Sequence, residues 1–144
     1  MTGPTAPAVG ANNLKTVNGP AQRTQGNAIL NLGPTPNIQN GTAITYDGSM
    51  NISLAPNQIY QASYSAVAEV GGALPSAVGV GFQGVAGSQL NVAIDPGVNN
   101  RQFVSNTVLV DSSVNPTLRL FGGTTLGGGM ATFSNVQVSV VKVQ

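Results

Sequence analysis

Only a few side chains in this sequence can do acid–base or covalent chemistry, and they are spread thinly. The carboxylates are Asp47, Glu69, Asp95 and Asp111, one in each of four separated segments, and histidine and cysteine are absent. Without histidine the commonest general base and transition-metal ligand is missing. Without cysteine there is neither a thiolate nucleophile nor a disulfide framework. Two carboxylates suffice for a glycoside hydrolase, but no spacing pairs any two of these. Asp47-Gly48 and Asp95-Pro96 are turn dipeptides, in which an aspartate holds its own backbone. The stretch "DPGVNN" offers Asp95 with the amides of Asn99 and Asn100, a weak donor set for calcium and an ordinary loop composition. The stretch "GVGFQG", Gly79 to Gly84, has the glycine pattern of a dinucleotide-binding turn, which needs a strand before it and a helix after it. Here Val78, Val80 and Phe82 alternate with Gly79, Gly81 and Gln83. The segment therefore reads as a strand with one bare face, open to close approach by another sheet or chain. These residues predict a protein with no enzymatic activity, cofactor or metal.

Composition points to assembly instead. The 144 residues suit one domain with one core. Charged residues make up 6% of the chain and the net charge is +1, so self-repulsion between copies is weak and close packing against sister chains carries little electrostatic penalty. The basic residues Lys15, Arg23, Arg101, Arg119 and Lys142 are scattered. No basic stripe is available for nucleic acid. The start "MTGPTAPAVG" lacks a basic and then apolar leader pattern, and no apolar run approaches the ~18 residues of a membrane span, so neither a standard secretion substrate nor a membrane span is expected. The glycosylation triplets at Asn40 and Asn51 are attributed to chance in a chain without an export signal.

The elements that must position these residues are strands. From Ala28 onward short apolar alternations are separated by turn residues, the pattern of an all-β sandwich. In "IYQASYSAVAEV" the residues Tyr60, Ala62, Tyr64, Ala66, Ala68 and Val70 share one face, which serves as either core or subunit interface. Leu90, Val92 and Ile94 alternate likewise, as do Val136, Val138 and Val140. Further strands are expected in "AILNL", "TAITY", "MNISLA", "AVGVGF", "FVSNTVLVD" and "TLRLF", about nine strands in all with no helix. Residues 1–27 hold Pro4, Pro7 and Pro20 and show no period. They read as an extended arm preceding a jelly-roll domain of residues 28–144.

With the strands placed, "APNQIYQASYSAV" resembles the central segment of the tumour-necrosis-factor-like family, which includes the globular head of complement first component, subunit q. That family carries a pattern close to G-x-Y-x-F-x-Y, and Gln58, Tyr60, Ala62 and Tyr64 occupy those places, the tyrosines matching. The closing strand "FSNVQVSVVKVQ" is similar to the last strand of bacterial members. The resemblance implies an antiparallel jelly-roll β-sandwich and a homotrimer, with Tyr60, Tyr64 and Phe133 near the subunit contact. It also implies a non-catalytic role. A bacterial or phage member is indicated: a capsid decoration or head-fibre protein on the virion surface, anchored to a larger assembly such as a capsid shell through Leu14, Lys15, Val17 and Arg23 of the arm. The alternative is a recognition head, on a phage tip or a spore surface, that binds glycan or host protein through "DPGVNN" or "TTLGGG".

Overall fold

The computed structural model describes residues 12–71, 76–95, 100–124 and 130–144. Within them the chain forms β1 (Asn13–Asn18), β2 (Gln22–Gln25), β3 (Ala28–Ile29), β4 (Ile38–Asn40), β5 (Ile44–Tyr46), β6 (Ile52–Leu54) and β7 (Ile59–Val70). It continues with β8 (Ser76–Phe82), β9 (Leu90–Ile94), β10 (Arg101–Asp111), β11 (Thr117–Leu118), β12 (Leu120–Thr124) and β13 (Met130–Lys142), and has no helix among the described residues. The antiparallel order β10-β7-β13-β1-β4 makes one long sheet, to which β2 adds beside β13. The smaller sheets β3-β12-β8-β9 and β11-β6-β5 share one apolar core with it. The fold is an antiparallel jelly-roll β-sandwich.

Strict alternation explains the longest strands. In β7 every second residue from Tyr60 to Val70 is buried, and the partners at the same register on β13, such as Val138 opposite Tyr64 and Val140 opposite Ala62, are buried too. Small alanines at 62, 66 and 68 leave room for the large side chains above them. The Tyr64 and Phe82 rings meet edge to face with centroids 5.4 Å apart, a geometry worth about 0.5–1.5 kcal/mol beyond area burial.

Of the glycines of "GVGFQG", Gly81 answers to the chain's own packing. A Cβ on Gly81 would lie 2.8 Å from the backbone of Gln89, and one on Gly122, across the ladder from Val80, would lie 2.9 Å from the Phe133 ring. The bare positions admit an intramolecular neighbour, so the segment is a strand, as its alternation predicts, packed beneath the returning chain.

The N-terminal segment departs from expectation. β1 pairs with β13 from Asn13↔Val141 to Asn18↔Val136, and β2 pairs with it from Met130↔Gln25 to Phe133↔Gln22. Residues 13–25 are thus strands of the long sheet, where an arm through residue 27 was expected, and the sandwich begins before residue 28. The reason is the length of β13, whose register shifts between Ser134 and Gln137. Asn135 there has φ 49°, and its N–H donates to the Gly19 carbonyl at 3.2 Å. The Gly19-Pro20 break between β1 and β2 lies opposite this bulge, so two short strands together cover one long one. Segments this short carry too few alternations to be read as strands on their own. "TLRLF", expected as one strand, splits at Arg119 into β11 and β12, which belong to different sheets.

Candidate interaction face

The long sheet has one face in the core and one face outward, and the ladder register sorts the outward side chains into rows. Leu109, Gln61, Val141 and Asn13 form one row. Next come Thr107, Ser63, Ser139 and Lys15, followed by Ser105, Ser65, Gln137 and Val17. Phe103, Val67 and Ser134 follow, and Arg101, Glu69, Thr132 and Arg23 close the series. A belt of hydroxyls and amides therefore crosses the sheet between two rows that carry apolar residues. Ser63 and Thr107 bridge neighbouring strands through their hydroxyls at 2.9 Å, and Arg101 donates to Glu69 at 3.0 Å.

Exposure marks the ends of this face. Phe103 is 67% exposed and Leu109 66%, both on β10, the edge strand of the sheet. Large apolar side chains this open on a long edge strand are unusual for a chain that stays alone. A shallow depression of about 290 Å³ occupies the belt, lined by Lys15, Ser63, Ser65, Ser105, Thr107 and Ser139 among others.

The residues expected at the subunit contact are buried within the single chain. Tyr60 and Phe133 are fully buried and Tyr64 is 3% exposed. The Tyr64 hydroxyl lies 2.9 Å from the Val80 carbonyl and 2.6 Å from that of Ser88, and the Tyr60 hydroxyl bonds the Ala55 and Ala43 carbonyls. Burial pushes the hydroxyl pKa of both tyrosines up. Their side chains fill the core, and it is the opposite parity of β7 that faces outward. Of the four residues expected to anchor a partner, Leu14 is also in the core. Lys15 and Val17 are on the outward face, half-buried, and Arg23 is exposed at the charged end of the sheet. Phe103 and Leu109 were missed because each stands beside another apolar residue, Val104 and Val110, so the sequence alone does not say which of the two looks out.

Asp47 and Asp111 hold turns and Glu69 pairs with Arg101. Asp47 accepts from the Ser49, Met50 and Asn51 backbone N–H groups and from the Asn51 amide. The bonds from Asn51, assisted by Ser49 and Met50, hold its pKa down at about 2. Burial and the neighbouring Asp47 charge push the Tyr46 hydroxyl up to about 12, and that hydroxyl donates to the Gly33 carbonyl. Asp111 accepts from the Ser113 hydroxyl and N–H, which lowers its pKa. No group of His, Cys, Asp or Glu suited to a metal ion occurs among the described residues. In "DPGVNN", Asn100 donates to Glu69 at 3.1 Å, while residues 96–99, and residues 125–129 of "TTLGGG", lie outside the described residues.

The chain matches no protein-family model and no curated protein. Solved structures share its architecture. The vertex protein P5 of PRD1 is 13% identical, with a TM-score of 0.55 over 92% of this chain and 73% of that one. Murine APRIL is 12% identical with a TM-score of 0.55 over 91% of this chain and 98% of that one. Eiger TNF from S. frugiperda is 12% identical with a TM-score of 0.51 over 92% of each chain. At these identities the likeness is one of fold, and the fold is the tumour-necrosis-factor-like jelly roll.

Proposed function

We propose that the protein is a non-enzymatic structural protein of a viral particle, a homotrimeric knob that decorates the capsid surface as a decoration or head-fibre protein. The observation that carries this reading is the outward face of the long sheet: two apolar rows ending in Phe103 and Leu109 flank a polar belt, and the surface bears few charges to oppose contact between copies. The fold it shares with a vertex protein supports placement at a particle surface. Residues 13–25 belong to the sheet, so attachment to the capsid is assigned to residues 2–11.

Sedimentation of the purified chain and a particle-coating assay test the two parts separately. The intact chain is expected to sediment as a trimer at micromolar concentration, and a monomer there would sink the self-association reading. Deleting residues 2–11 is expected to leave a folded trimer that no longer coats particles. Full occupancy by that truncated protein would refute anchoring.

A further inference from the structure

Two asparagines precede glycine, Asn18 and Asn40. Such a link carries its own reactants, an electrophilic side-chain amide and a following backbone nitrogen that no side chain shields. The fold treats the two links differently. Asn18 ends β1, paired with Val136 of β13, and its side-chain amide donates to the Asn31 carbonyl at 2.9 Å. The next residue is fixed as well, since the Gly19 carbonyl accepts the Asn135 N–H at 3.2 Å. Asn40 ends β4, a three-residue strand at the sheet edge with every residue exposed. Its amide donates to Asn13 Oδ1 at 3.0 Å, an exposed contact between side chains. Further on, the Asn12 side chain accepts from the Thr42 and Ala43 N–H groups at 3.1 Å, and the Gly41 nitrogen is not one of those donors. Asn18 therefore reaches a reactive conformation only by leaving the β1–β13 ladder. Asn40 needs only the fraying of a sheet edge, which lies at the low end of local opening free energies.

We propose that Asn40 is a modification site, at which the folded chain deamidates without an enzyme. The Gly41 nitrogen, losing its proton to hydroxide, attacks Asn40 Cγ, and the bond from Cγ to the side-chain nitrogen breaks as that nitrogen departs as ammonia. The product is a cyclic succinimide. Water then adds to one of its two carbonyls: opening on one side gives aspartate, and opening on the other gives isoaspartate, with the backbone routed through the side-chain carbon. The position of Asn40 gives the reaction a consequence. Asn40 stands opposite Asn13 in register and extends the outward row of Leu109, Gln61, Val141 and Asn13 by one strand. Lys15, opposite Ile38, is its diagonal neighbour, at the ~7–8 Å that a long side chain spans. The new carboxylate takes that ammonium as its counter-charge, and the formal net charge of +1 falls by one, which removes the last net repulsion between copies. The chemistry itself is local and does not rest on self-association.

Peptide-mapping mass spectrometry of the full chain held at mildly alkaline pH tests this, both folded and in urea, with isoaspartate read separately by enzymatic methylation. In urea the two Asn-Gly links are expected to convert at comparable rates. In the folded protein Asn40 is expected to convert at least about tenfold faster than Asn18 and to give aspartate and isoaspartate together. Isoelectric focusing should show a new, more acidic species that Asn40→Gln does not form, because the longer side chain must close a larger ring. Equal rates at Asn18 and Asn40 in the folded protein, or conversion of Asn18 first, overturn the assignment. An Asn40 that stays intact while the chain in urea reacts also overturns it, and shows that the bond to Asn13 protects the link. An acidic species that persists in Asn40→Gln places the reaction elsewhere and overturns it too. Superimposable circular dichroism of the wild type and Asn40→Gln confirms that the substitution leaves the fold intact.

Discussion

Phe103→Ser separates the outward face from the core more sharply than any other single change. Full burial of a phenylalanine side chain is worth ~1.5–3 kcal/mol. The side chain is 67% exposed in the single chain, so association can remove at most about two-thirds of that, roughly 1–2 kcal/mol per copy. Three copies lose roughly 3–6 kcal/mol, or about two to four decades in the dissociation constant. For a monomer–trimer equilibrium the midpoint concentration varies as the square root of that constant, so it should rise about tenfold to a hundredfold. Sedimentation equilibrium over a dilution series reads the shift directly. Thermal unfolding of the dilute monomer should barely change, because an exposed serine leaves the core alone. Tyr64→Phe is the contrasting variant. It removes a hydroxyl placed between the Val80 and Ser88 carbonyls, costing about 1–2 kcal/mol and lowering the monomer Tm by a few degrees, with the association midpoint unmoved. An unchanged midpoint for Phe103→Ser, or a Tyr64→Phe protein that dissociates without losing thermal stability, would refute the assignment of faces.

Two further outcomes follow from the packing and the charges. Gly122→Ala places a methyl 2.9 Å from two atoms of the buried Phe133 ring and 3.2 Å from Leu30 Cδ1; overpacking of this kind costs about 1–3 kcal/mol. Urea unfolding should show that loss, partly relieved by adding Phe133→Leu, and an unchanged urea midpoint would contradict the close contact between the sheets. The Asp47 pKa falls from 3.8 to about 2 on folding, so the stability it contributes is fully present above its unfolded value and is lost as pH drops through the folded one. Wild-type stability should therefore decline between about pH 4 and pH 2 more steeply than that of Asp47→Asn, as followed by urea midpoints at each pH; parallel declines would show that the turn does not depend on this charge.

Much of the fold was legible because β7 and the second half of β13 alternate apolar with other residues, and a period of two places the apolar side chains of a strand on one face. Asp47 was legible as a turn aspartate for a local reason as well, since it bonds to groups within four residues, whereas Asp111, which holds Ser113 in the same way, was not read as one. The jelly-roll reading drew on the two tyrosines of β7, and both are there for the core. Residues 13–25 were not legible, because β1 and β2 become strands only through pairing with β13, more than a hundred residues away in sequence.

By itself the sequence determined the absence of histidine and cysteine, the all-β class and the low charge, since each of these follows from residue type or from neighbours along the chain. Only the tertiary structure decided which parity of the long strands looks outward. Tyr60, Tyr64 and Phe133 turn in and Phe103, Leu109 and Lys15 turn out because a strand has two equivalent faces until a second layer packs against one of them.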